Sequence, residues 1–366
     1  MQALRSILRI VKPSFLSRNV SSWQIALNEH GEPLDVLYDR VVDIGPPKNK
    51  EVLVNYRFCP INPSDINSIQ GTYPLKPSLP AVPGNEGAGY VVLECGPGVS
   101  KLKPGDLIIP AKPSLGTWRN VAIYDESDLF CLNPRLDVRQ AAVLCVNPLT
   151  AYFILNEHAK LKPGDCLIQN GATSAVGIYV MQMCKQMGVR TSRLVNLFRP
   201  RDTPEKTEST RQVLLDFGGT VVLTEEELKQ RKDFSELGKI KVGLDCLGGR
   251  PALTIIKSLD QHGLLINYGG MTRQPIPTPI SALIFEGIQI RGFWLSGRRN
   301  QSHLAEKVQA RLDELSNWII DGKLKLSPVE LFPHLEWKAA VSKALFKDDT
   351  PRDLPRKNVL SFPEVS

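Results

Sequence analysis

From Pro148 onward the chain alternates short apolar runs with helix-length segments, and that rhythm admits few architectures. Runs such as Cys166–Asn170, Arg193–Phe198, Thr220–Leu223, Val242–Cys246, Gly263–Tyr268 and Ile288–Trp294 have strand length. Between them lie Ile178–Met187, Thr210–Phe217 and Ala252–Leu259. Strand and helix in alternation predict a doubly wound parallel sheet with helices on both faces. A longer helix is expected at about His303 to Asp321, where Val308, Leu312, Leu315 and Ile319 recur at helical spacing. Upstream, from Trp23 to about Val146, the pattern is short β segments broken by Gly and Pro, among them Glu51–Phe58, Gly89–Cys95 and Asp106–Ala111. Such proline density predicts a compact, irregular β-barrel. The tail from Pro333 ends in a strand, Asn358–Phe362. The fold class is therefore α/β: a β-rich domain over 23–147 and 322–366, and a doubly wound domain over 148–321.

With 366 residues, 42% hydrophobic and 23% charged, the chain is long enough for two domains with substantial cores. No run of about 18 apolar residues occurs, so no membrane span is expected. The seven Cys are scattered, no two closer than Cys131 and Cys145, which excludes a disulfide framework and a C-x-x-C zinc cluster. The first 22 residues carry Arg5, Arg9, Lys12 and Arg18 and no acid, the first carboxylate being Glu29. Interleaved with Leu4, Ile7, Leu8 and Val11, these cations have the composition of a mitochondrial transit peptide. Without them the formal charge falls from +7 to +3, which suits anionic substrates and is no nucleic-acid signature.

Leu167-Ile168-Gln169 runs into Asn170-Gly171-Ala172-Thr173-Ser174-Ala175-Val176-Gly177 and then an apolar helix. Strand, tight loop and helix form the context of a dinucleotide fingerprint, whose helix N-terminus receives a pyrophosphate. In G-x-G-x-x-G register the positions are Ala172, Ser174 and Gly177, so two glycines are replaced by small residues. The next strand ends in Leu197-Phe198-Arg199-Pro200-Arg201, where an NAD enzyme needs an acid for the ribose 2′-hydroxyl. Two guanidiniums there suit a 2′-phosphate, so the expected cofactor is NADPH.

The stretch Ile61 to Gly87 resembles the catalytic lobe of a zinc alcohol dehydrogenase, of the medium-chain dehydrogenase/reductase superfamily, with its zinc ligands replaced. That superfamily sets a Cys three residues before the Asp of an S-D pair and a His inside G-H-E. Here those positions are Asn62, before Ser64-Asp65, and Asn85, between Gly84 and Glu86. Amides are poor Zn²⁺ ligands beside thiolate or imidazole. None of the five His shows metal-ligand spacing, so no metal is expected. The superfamily layout, a GroES-like β-rich catalytic domain plus a Rossmann domain, matches nearly the whole chain after the leader.

Several segments together resemble the mitochondrial trans-2-enoyl-CoA reductases, also called enoyl-[acyl-carrier-protein] reductases. They are Ile61–Asn67 with Gly71–Tyr73, Leu79–Gly87, Leu115–Arg119, Val146–Tyr152, Tyr268–Met271 and Arg291–Ser296. The resemblance implies Tyr73 as proton donor, Asn147 on the cofactor, and Thr173, Ser174, Ala175 and Val176 along the pyrophosphate. It implies Arg199, Pro200 and Arg201 at the 2′-phosphate, and Tyr268, Gly269, Gly270 and Met271 with Phe293, Trp294 and Leu295 around the nicotinamide. Lys357 in the tail strand would reach back to the cofactor. Pro200 stands where an acid is usual, and the lead-in Arg190–Val195 is a few residues long. The implied substrate is a trans-2-enoyl thioester on CoA or acyl carrier protein, the implied location the mitochondrial matrix, and the implied assembly a homodimer through the strand near Ile288–Trp294.

Conjugation to a thioester makes the substrate's β-carbon electrophilic, so hydride adds there and charge develops on the thioester oxygen. A phenol is protonated at neutral pH and can serve the α-carbon. Trp118 and Trp294 are candidate acyl-pocket walls or core residues, and Asp65 and Glu86 are spectators or structural acceptors. Two other readings stand beside this one: a zinc-free quinone or alkenal reductase, and a nucleotide-fold binding protein without turnover.

Overall fold

In the computed structural model, which describes residues 19–161, 165–186, 194–231, 239–346 and 356–364, the elements follow the two rhythms of the sequence. The N-terminal part supplies β1 (Val20–Leu27), β2 (Leu37–Ile44), β3 (Glu51–Pro60), β4 (Ala88–Cys95), β5 (Leu107–Pro110), β6 (Val121–Asp125) and β7 (Leu129–Cys131). The nucleotide-type part supplies β8 (Cys166–Gln169), β9 (Leu194–Phe198), β10 (Val221–Thr224), β11 (Ile240–Asp245), β12 (Leu264–Asn267) and β13 (Gln289–Gly292). The tail contributes β14 (Val329–Pro333) and β15 (Lys357–Ser361).

The second group forms one parallel sheet in the order β10-β9-β8-β11-β12-β13. This is the doubly wound order in which the chain reverses direction beside the first strand, opening a crevice at the carboxyl ends of β8 and β11. All of β8 and β9 is buried, as expected of strands covered by helices on both faces. The helix Ala305–Ile320 presents Val308, Leu312, Leu315 and Ile319 to the core. Strands β3 to β7 and the tail share a sheet ordered β14-β15-β3-β4-β5-β7, with β6 also paired to β3, while β1 and β2 form a separate antiparallel two-stranded sheet. β15 runs antiparallel to the end of β3, matching Val359 with Pro60, and Ile61 N–H donates to Asn358 O at 2.9 Å. The tail thus lies against the chain as it enters Asn62.

Observed bounds differ from the expected ones by a few residues; the helix Pro204–Asp216 starts earliest, because Thr203 caps it and Pro204 opens it. Of the expected leader, residues 1–18 lie outside the described residues, as does 190–193 of the long lead-in. The leader boundary at Ser22 falls inside β1, where Val20–Ser22 pair with Ile44–Val42 and Ser22 Oγ donates to Val121 O at 2.6 Å. No helix among the described residues is long and apolar enough to cross a membrane.

Candidate active site

Two buried polar networks flank the cleft between the sheets. The first fills the region of Asn62 and Asn85. Asn62 opens the helix Pro63–Ile69, with Pro63 at the first helical position, and its N–H donates to Asp65 Oδ2 at 2.7 Å. Asp65 Oδ1 accepts from Asn85 N–H at 2.9 Å and from Asn85 Nδ2 at 2.6 Å. Asn85 Oδ1 accepts from Ser114 N–H at 2.8 Å. Glu86 accepts from Asn62 Nδ2 at 2.9 Å and from Val146 N–H at 2.8 Å. Lys357 Nζ joins the network by donating to Asn62 Oδ1. Gly84 lets the segment approach: with φ at +111°, an added Cβ would lie 2.3 Å from Thr117 Oγ1.

Asp65 and Glu86 are both 0% exposed, so a positive charge is needed nearby. Lys357 supplies one, and Arg299 from the other domain supplies a second beside Glu86 while Nη2 holds Pro110 O at 2.6 Å. Burial lifts the Asp65 carboxyl to about 6, against its N–H donors and Lys357. Burial also raises Glu86, with Lys357 opposing most strongly. Lys357 is pushed down by burial and held up chiefly by Glu86 and then Asp65. Each amide thus has both its donor and its acceptor engaged, and the Lys357 ammonium binds Asn62, one of the two replaced ligand positions. This donor set does not fit Zn²⁺, and no group of three or more His, Cys, Asp or Glu suited to a metal occurs among the described residues. Lys357, expected to reach back to the cofactor, donates to Asn62 and has its charge supported by Glu86.

The second network holds the expected nucleotide loop. Asp245, 0% exposed at the end of β11, accepts from Asn170 Nδ2 at 2.6 Å, Asn267 Nδ2 at 2.7 Å, and the N–H groups of Leu247 and Gly248 at 3.0 Å each. Gln169 Nε2 donates to Asn196 Oδ1 at 2.7 Å and to Gly177 O at 3.1 Å. Ser174 Oγ caps the helix Ala175–Gln186 by accepting Gly177 N–H at 3.1 Å. A Cβ on Gly177 would meet Ala172 O at 2.8 Å, so helix and loop pack backbone to backbone. Thr173, Ser174 and Ala175 remain partly exposed, whereas Val176 is buried. A cradle of small residues at a helix N-terminus, over the sheet's crevice, fits a dinucleotide pyrophosphate.

At the end of β9, Arg199 and Pro200 are exposed. Arg201 is partly buried, its Nε donating to Thr210 Oγ1 at 3.2 Å. Tyr268 follows β12 with its hydroxyl buried near Cys246 and Ser174, and burial raises it well above the ordinary phenol value. Met271 is exposed, and its N–H donates to Cys246 O at 3.2 Å. Gly269 and Gly270 lie between them, the first 2.8 Å from Cys246 O at an added Cβ. Asn147 begins the helix Asn147–Phe153 directly after the Val146 amide bound by Glu86.

The expected trio 293–295 separates. Phe293 and Leu295 are core residues, Phe293 edge-on to His158 at 5.2 Å, while Trp294 is 45% exposed. Trp294 Nε1 donates to the Tyr73 hydroxyl at 2.8 Å, and that hydroxyl donates to Ser296 Oγ at 2.9 Å. Tyr73 follows the turn at Gly71 and is held by its N–H to Asn67 O at 3.1 Å. Trp118 is no pocket wall: it is 0% exposed in the β-domain core, donating to Pro60 O at 3.3 Å. Ser296, Arg299, Asp245 and Asn170 have roles the sequence reading did not assign. For Asp245 a signal existed, a lone acid ending an apolar strand.

The model of the alcohol dehydrogenase GroES-like domain matches residues 48–130. A mitochondrial enoyl-[acyl-carrier-protein] reductase from Caenorhabditis elegans is 40% identical over 337 residues, 92% of this chain and 95% of that protein. A solved Etr1p complex with NADP and crotonyl-CoA has a TM-score of 0.82 and 30% identity, covering 94% of this chain and 100% of that one. The mitochondrial 2-enoyl thioester reductase heterodimer Etr1p/Etr2p from Candida tropicalis matches with a TM-score of 0.82 and 31% identity, at the same coverage. A GroES-like domain joined to a Rossmann domain defines a medium-chain dehydrogenase/reductase, here with Asn62 and Asn85 at the superfamily's zinc-ligand positions. Within that class, the chain belongs to the mitochondrial enoyl-[acyl-carrier-protein] reductases.

The Lys357 network yields a stability test. Removing one member of a buried charge cluster costs about 3–5 kcal/mol, because the opposite charge stays buried and unpaired. Lys357→Met is expected to lose stability on that scale in chemical denaturation, and Lys357→Met with Glu86→Gln to recover much of it. A Lys357→Met chain within about 1 kcal/mol of the original would show that the ammonium balances nothing.

Proposed function

We propose that this chain uses NADPH to reduce trans-2-enoyl thioesters to saturated acyl thioesters, with Tyr73 as proton donor. The observation that carries this reading is the Tyr73 hydroxyl, held at the domain junction by Trp294 and Ser296. Bound NADPH supplies hydride to the β-carbon of the enoyl group. Tyr73 supplies the proton for the α-carbon, a task that needs a hydroxyl at a fixed position and no Lewis acid. Thr173 to Val176 would cradle the pyrophosphate, Arg199 and Arg201 the 2′-phosphate, and Tyr268–Met271 with Trp294 the nicotinamide end. Asn147, next to the Val146 amide that Glu86 binds, and Lys357, whose charge Glu86 supports, would define the cofactor's flank.

The C. elegans relative is named for enoyl-[acyl-carrier-protein] reduction, and the Etr1p complex holds crotonyl-CoA. Both carriers end in the same phosphopantetheine thioester, so acyl carrier protein and CoA are both proposed substrates. That relative is mitochondrial by name, and the basic leader supports residence in the matrix. A homodimer is supported by β13, an edge strand whose four residues are all exposed, beside an apolar surface of Ile280, Ile284 and Phe285, the last 78% exposed.

Tyr73→Phe keeps the ring and deletes the hydroxyl. It should bind NADPH normally and lose about 10²–10⁴-fold in kcat on trans-2-hexenoyl-CoA, with little change in KM. Turnover within about twofold of the original would remove Tyr73 from the chemistry. Changing Arg199 and Arg201 together to Ala should lower kcat/KM for NADPH by at least an order of magnitude, as charge-assisted contacts contribute roughly 1.5–3 kcal/mol each. NADH use should hardly change, and an unaltered NADPH/NADH ratio would acquit both residues. Light scattering should find two copies per particle, and Phe285→Glu with Ile284→Glu should release single chains. A chain that is monomeric at the outset would exclude the β13 assembly.

A further inference from the structure

Tyr73 reaches the junction from the β-rich domain, yet both hydrogen-bond partners of its hydroxyl belong to the other domain. Trp294 Nε1 can only donate, so it occupies an acceptor site on the phenol oxygen. The phenol's single proton therefore points at Ser296 Oγ, 2.9 Å away. Ser296 lies in the short helix Leu295–Arg299 and is partly exposed. That helix is fixed at its far end, where Arg298 pairs with Glu157 and Arg299 Nη2 binds Pro110 O at 2.6 Å.

We infer that Ser296 is a positioning residue for the proposed reduction: it stores the direction of the Tyr73 proton, stabilises the phenolate, and reloads it. The inference rests on Tyr73 being the proton donor. In the delivery step the Tyr73 O–H bond breaks as a C–H bond forms at the substrate's α-carbon, and the electron pair stays on the phenol oxygen. Trp294 N–H already points at that oxygen. Ser296, no longer accepting a hydrogen bond from Tyr73, turns its own O–H toward the phenolate, so two donors face the new charge. In the reloading step the Ser296 proton passes to the phenolate while Ser296 Oγ takes a proton from water at its exposed side. One solvent proton enters per turnover, replacing the one delivered to product. An alcohol suits this task because it donates and accepts at one atom, which neither the indole nor a methyl group can do.

The test compares Ser296→Thr with Ser296→Val, side chains of nearly the same shape that differ in the hydroxyl. Both are made in the full chain and in the Tyr73→Phe background, with NADPH binding by fluorescence as the check on folding. With NADPH and trans-2-hexenoyl-CoA, Ser296→Thr should stay within about threefold of the original, and Ser296→Val should lose roughly 10- to 100-fold in kcat with KM nearly unchanged. In the Tyr73→Phe background the Thr and Val forms should turn over alike, because Ser296 acts only through the phenol. Equal turnover of Thr and Val in the original background would overturn the inference, as would a Thr–Val difference that persists in full without the Tyr73 hydroxyl. An original chain inactive on the enoyl thioester would instead remove the proposed function, and this inference with it.

Discussion

The charge of Lys357 is the constraint on which the rest of the cleft depends. Two fully buried carboxylates, Asp65 and Glu86, sit where solvent cannot screen them, and burial drives both toward the protonated form. An ammonium from the tail and a guanidinium from the other domain hold them in place, with Asn62 bridging Glu86 and Lys357 and Asn85 tying Asp65 to the Ser114 N–H. Cation and amides take the structural part that a metal and its ligands have in zinc-dependent members of the superfamily. In the proposed reaction the chemical part, a proton donor at the substrate, falls to the Tyr73 hydroxyl.

This arrangement also explains the return of the tail. β15 pairs with the end of β3 because Lys357 has to arrive beside Asn62, at the point where the chain turns into the helix Pro63–Ile69. Arg299 brings a charge from the other side of the cleft, and its helix carries Ser296 at the same time. Electrostatic closure of the vacated metal region and alignment of Tyr73 thus run through one five-residue helix. The nucleotide side is organised similarly around one buried carboxylate, Asp245, which collects donors from the ends of β8, β11 and β12. Both networks place a buried acid under a loop that must hold a fixed shape without filling the cleft.

The architecture was legible because it rests on periodicity. Strand-length apolar runs between helical segments predicted the parallel sheet, and nearly every expected element is found, with ends displaced by a few residues where caps decide them. Asn62 and Asn85 were legible as absent ligands, since an amide in place of a thiolate or imidazole is a chemical statement in itself. Their partners were not. Lys357 lies 295 positions from Asn62, and Ser296 lies 223 from Tyr73, so no local pattern reports either contact. Trp118 and Trp294 carried the same sequence signal, a large aromatic near a motif, and only packing separates the buried one from the exposed one. Arg199 and Arg201 likewise read as equals, but Thr210 engages Arg201 and leaves Arg199 more exposed.

The central claim is that a protein cation and a phenol have divided the work of the metal, and it is tested most directly by metal content against turnover. The purified chain is to be assayed with NADPH and trans-2-hexenoyl-CoA before and after exhaustive chelation, with zinc measured in the same samples. The account predicts unchanged kcat with zinc far below one ion per chain. Activity that falls with zinc removal and returns with stoichiometric zinc would contradict it.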